Sequence, residues 1–137
     1  MTASVHALAK ALLLNLLPSP TAARTTSTTG SAINLLDYEG SAAMVLDSAA
    51  ATAGTNPTLD VTLEESDDGS TNWTAVPATA YAEAAEFAQV TNAASQQVRH
   101  FNVSDRKQYI REKHVIGGTS SPSFVHSLNL LAKKKYS

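Results

Sequence analysis

The stretch "TLDVTLEES", residues 58–66, is the one on which the fold turns. Leu59, Val61 and Leu63 alternate with Asp60, Thr62 and Glu64. That two-residue period puts one row of side chains in a core and the other in water, as a half-buried β-strand requires. "DDG" follows at 67–69, and Trp73 stands in the next apolar run. Asp hydrogen-bonds its own backbone and Gly takes positive φ at no steric cost, so the acidic knot reads as a hairpin turn. A calcium loop of the EF-hand type needs a bidentate Glu at its twelfth position. Counted from Asp67, that position is Ala78.

Outward from this hairpin, short apolar runs separated by turn residues predict strands near 32–38, 42–49, 58–65, 72–76, 97–103, 108–116 and 123–132. The alanine-rich stretch between Pro77 and Ser95 suits a helical turn or an irregular crossover, and the pattern does not choose between them. "GGTSS", residues 117–121, reads as a loop between two strands. The expected fold class is all-β, a β-sandwich of jelly-roll or immunoglobulin-like type occupying residues 32–137.

The N-terminal part carries a different period. Val5, Leu8, Ala9, Leu12, Leu13 and Leu16 recur at steps of three and four, which predicts an amphipathic helix over residues 4–17, ended by Pro18. Nothing basic precedes Lys10, so the segment lacks the positive opening of a secretory signal and is expected to stay in the working protein. Residues 18–31 have a linker composition, with six Thr or Ser between Thr25 and Ser31 and no large apolar side chain. So short a helix needs a surface on which to bury its leucines. That surface is its own domain or another subunit, and the linker favours the second. Residues 1–31 are thus expected to form an arm, with Val5, Leu8, Leu12, Leu13 and Leu16 as its partner-binding residues. Lys133, Lys134 and Lys135 are a weaker candidate, as a basic tail that docks on an acidic surface.

The 137-residue chain has 10 basic and 12 acidic residues and a net charge of −2, which gives no reason to expect nucleic acid or an anionic membrane as partner. No run reaches the roughly 20 apolar residues of a membrane span. Cysteine is absent, so disulfides and thiolate metal sites are excluded. The four histidines, His6, His100, His114 and His126, include no pair at zinc-helix spacing, and no metal or cofactor is assigned. His100 with Arg99, and His114 with Glu112 and Lys113, lie within predicted strands. There is no Gly-x-Ser-x-Gly elbow and no phosphate loop, and Glu83 and Glu86 read as solvated carboxylates. The chain does not read as an enzyme.

The series "NPTLDVTLEESDDGSTNWTAVPATAY" and "RKQYIREKHVIGGTSSPSFVHSLNLLAKKK", within residues 56–135, resembles small virion proteins of tailed bacteriophages. The resemblance lies in a strand, Ser-Asp-Asp-Gly, an aromatic strand, Val-Pro, a Tyr-Ile-Arg strand and a Ser-Phe-Val final strand. It implies a structural component of the particle, most concretely a capsid decoration or cement protein made in the host bacterial cytoplasm. Its implied partners are the major capsid protein or other virion subunits, with a homo-oligomer on the capsid surface. A portal or tail location is a variant of that reading. The competing class is a carbohydrate-binding β-sandwich module, with Trp73, Tyr81 and Tyr109 as stacking candidates.

Overall fold

The computed structural model describes residues 11–135, with side chains from Leu14 onward. Among the described residues nine strands form two antiparallel sheets: β1 (Ala11–Leu17), β2 (Thr28–Thr29), β3 (Ile33–Asn34), β4 (Tyr38–Ser48), β5 (Ala53–Ser66), β6 (Thr74–Ala75), β7 (Ser95–Asn102), β8 (Tyr109–Ser123) and β9 (His126–Lys134). One sheet has the order β1-β9-β4-β7. The other runs β2-β8-β5-β6, with β3 also paired to β8.

Alternation explains how the sheets share one core. On β5, Leu59, Val61 and Leu63 point inward, as the two-residue period predicts. They meet Met44 and Leu46 from β4 and Leu128 and Leu130 from β9, all fully buried. Ile110 and Phe124 complete this dry layer. The longest pairing, β5 with β8, runs from Ser66↔Tyr109 to Ala53↔Ser123 and is broken by register shifts between Ala53 and Thr58.

Strand β1 corrects the expected helix as far as the described residues reach. Its register runs from Ala11↔Lys133 to Leu17↔Leu128 on β9. A near-continuous run of leucines fits both periods, so local sequence could not choose. The open edge of β9 decides, because it pairs the backbone of β1. A register shift between Asn15 and Leu17 turns Leu16 and Leu17 both into the core, where they are 0% and 7% exposed. The part of the predicted helix that contains Val5 and Leu8 lies outside the described residues.

Residues 18–31 do not form a free tether either. Arg24 bridges Phe124, Ser27 Oγ accepts from the Ile116 amide at 2.9 Å, and Thr28 and Thr29 pair with His114 and Lys113. Threonine suits a pleated edge, and the unpaired side of β8 supplies the backbone partners.

Two further expectations change. The predicted strand 32–38 reduces to the two residues of β3 followed by a turn. The "GGTSS" loop is part of β8, which continues through it with Ser120 and Ser121 at positive φ. Residues 78–80 form a short 3-10 turn, and the chain then crosses irregularly, touching the sheets at Tyr81↔Phe101 and Leu59↔Val90.

The acidic knot turns the chain. Asp68 Oδ1 accepts from Ser66 Oγ and from the amides of Ser70 and Thr71, at 2.8–2.9 Å, while Thr71 Oγ1 donates to Oδ2. These bonds, those from Thr71 first, hold the Asp68 carboxyl well below the usual carboxylate range. Gly69 sits at φ +75°, against the ring of Tyr109.

Candidate functional site

The most unusual chemistry in the molecule is inside it. Inward positions of β8 run Ile110, Glu112, His114, and those of β9 run His126, Leu128, Leu130. Alternation therefore places three polar side chains where apolar ones are the rule. Glu112, His114 and His126 are buried, the first two at 0% exposure and the third at 1%. The Glu112 carboxylate lies 2.9 Å from Nδ1 of His114 through Oε1, and 3.0 Å from Nε2 of His126 through Oε2. The two imidazoles meet edge to face, with centroids 4.9 Å apart.

Burial by itself would raise the Glu112 carboxyl. The hydrogen bonds from His114 and His126 and the attraction of the two rings outweigh it and hold the carboxyl below its ordinary value. For His126 the balance is opposite: burial first, with His114 and Arg24, lowers its pKa although Glu112 raises it. The carboxylate is therefore ionised, and each nitrogen facing it donates an N–H. Among the described residues the far nitrogens, Nε2 of His114 and Nδ1 of His126, have no hydrogen-bond partner. Arg24 stands beside the cluster, but its guanidinium donates to the carbonyls of His126 and Pro18. In the sequence these histidines read as single strand residues. The available signal was the i, i+2 spacing of Glu112 and His114 within a strand; that His126 joins them follows only from the packing of β9 on β8.

Those residues expected to bind partners that the structure describes fall elsewhere. Leu16 is in the chain's own core. Leu12 and Leu13 lie on β1 opposite Ala132 and Leu131, and their side chains are outside the described set. Lys133 and Lys134 belong to β9 rather than to a loose tail, and Lys133 approaches Glu39 at 3.7 Å. Lys135 helps line a recess of about 260 Å³ with Leu35, Leu36 and Lys107.

The outer face of the four-stranded sheet is apolar along one band. Cross-strand registers put Leu131 beside Ala43 and Val45 beside Val98. Leu131 and Val98 are 46% and 42% exposed. Asn129, Asp47 and His100 border this band.

The aromatic candidates for sugar stacking are engaged internally. The guanidinium of Arg111 lies 4.2 Å from the centroid of the Trp73 ring. Tyr81 is 5% exposed, and the Tyr109 ring packs on Gly69.

No protein-family model matches the chain, and no curated protein matches it. Among solved structures, the chain is similar to the SPBc2 prophage-derived protein YomS, with 7% identity, 90% of this chain and 93% of that one covered, and a TM-score of 0.47. It is also similar to a chain in the structure of the infectious bursal disease virus Gx strain, with 17% identity and a TM-score of 0.48. There the match takes in 93% of this chain but 34% of the viral one, so this protein spans about a third of that length. A putative sugar-binding protein from Bacteroides thetaiotaomicron matches at 12% identity over 80% of this chain and 67% of that one, with a TM-score of 0.36. These likenesses assign neither a family nor a function.

Proposed function

We propose that this chain is a non-enzymatic structural protein of a bacteriophage particle, a decoration or cement protein seated on capsid subunits. The observation that carries the reading is the apolar band of Leu131, Ala43, Val45 and Val98 on an outer sheet face. Exposed apolar surface with a polar border is the anatomy of a protein contact. Support comes also from the sequence between residues 56 and 135, whose resemblance to virion proteins falls on β5, β6, β8 and β9. Because Leu16 belongs to the core, the contact is assigned to this face and not to a helical arm. Residues ahead of β1, with Val5 and Leu8, remain an additional contact in the proposal, as do Lys133, Lys134 and Lys135. Self-association on the particle is part of the same reading.

The test is co-sedimentation with particles stripped of this protein. Leu131→Asp with Val98→Asp places two charges on the band, and binding is expected to fall strongly while the melting temperature stays within about 2 °C of wild type, as for exposed sites. Mass spectrometry of purified particles is expected to find the protein in many copies. Particles that lack it would overturn the reading; unimpaired binding of the double variant would move the contact off this face.

A further inference from the structure

We propose that Glu112, His114 and His126 form a binding site for one divalent transition-metal ion of the zinc class, which clamps the two sheets together. One carboxylate and two imidazoles are a donor set that zinc-class ions favour. The candidate ligand atoms all lie within 4.8 Å of one another. Bonds of about 2.0–2.2 Å in tetrahedral array separate ligand atoms by about 3.3–3.5 Å. Oε2 of Glu112 faces both rings, 3.1 Å from Nδ1 of His114 and 3.0 Å from Nε2 of His126, so these contacts need to open by only a few tenths of an ångström.

The protons of the site also balance. Coordination through the facing nitrogens requires each imidazole to carry its proton on the far side. Among the described residues Nε2 of His114 and Nδ1 of His126 have no partner, so both far positions are free to take the proton that the facing nitrogens otherwise donate to Glu112. The exchange moves two protons within the rings and releases none. Arg24 does not compete, because its hydrogen bonds go to main-chain oxygens and leave both oxygens of Glu112 to the cluster.

The ligands come from both layers: Glu112 and His114 from β8 and His126 from β9, in the opposing sheet. An ion held there would stabilise the folded chain by tying the two sheets across the core. Three protein ligands leave one position for water. A recess of about 280 Å³, lined by Ser19, Asp47, Ser48 and Val125, borders His126.

The experiment uses the untagged full chain, treated with a chelator, dialysed, and titrated with zinc chloride or cobalt chloride. One zinc ion per chain is expected. At an ion concentration roughly 100-fold above Kd, the melting temperature should rise by about 8 °C. Cobalt should give the intense visible absorption of a tetrahedral centre. His100→Ala, which removes the exposed Glu83–His100 pair 3.0 Å apart, should retain both responses, and Glu112→Gln should lose both. Absence of both responses in the wild type would overturn the proposal, as would their loss in His100→Ala or survival in Glu112→Gln. If Glu112→Gln does not fold, zinc-edge X-ray absorption of the loaded wild type decides. A shell with two imidazoles supports the site, and one with fewer sinks it.

Discussion

Replacing Leu16 by Ala asks whether the N-terminal segment belongs to the body. Leu16 is 0% exposed and joins the cluster that holds Met44, Leu46, Leu128 and Leu130. Truncating such a leucine removes its burial and leaves a cavity, at a cost of about 2–5 kcal/mol. For a chain of this size, about 3 °C of melting temperature accompanies each kcal/mol, so the expected loss is about 6–15 °C. The neighbouring Asn15 is exposed on the same strand, and Asn15→Ala is the control, expected to stay within about 0.5 kcal/mol of wild type. Far-UV circular dichroism melts of the three proteins at one concentration supply the measurement. A Leu16→Ala protein that melts within about 2 °C of wild type would mean that β1 is not part of the cooperative unit, and the segment would again be a separate arm.

A chain starting at Ser31 loses β1, the Arg24 bridge to Phe124 and the β2 pairing, so it is expected to show a broad, lowered transition; a melt equal to that of the full chain would refute this. Gly69→Ala adds a Cβ about 2.8 Å from the Tyr109 ring at φ +75° and is expected to cost more than about 1 kcal/mol, read by urea denaturation. Metal-free protein should lose stability on acidification. Both His126 and Glu112 have folded pKa values below their ordinary ones, so the unfolded chain binds more protons. Their contribution is complete above His126's ordinary 6.5 and declines as pH falls through the folded values, with the loss from Glu112 beginning near its ordinary 4.5. His114 and Arg24 face the same cluster, and both oppose protonation of His126. A melting temperature that is flat from about pH 8 to about pH 4 would contradict this sign.

What the sequence determined by itself is whatever a strand encodes locally. The alternation of Leu59, Val61 and Leu63 announced β5 and the direction of its core face, and Asp67-Asp68-Gly69 announced the turn, because both signals act within a few residues. In β8 the shared inward face of Glu112 and His114 became visible only with the strand in place. Tertiary structure decided the rest. The leucines of β1 satisfy a helical and an extended period alike, and the free edge of β9 chose between them by pairing their backbone. The Thr- and Ser-rich stretch reads as a tether until the side of β8 takes up its hydrogen bonds. Glu112 and His126 are fourteen positions apart and lie on different sheets, so their contact exists only after the two layers close. That closure is a long-range event, set by the apolar area the sheets bury together, and no local pattern carries it.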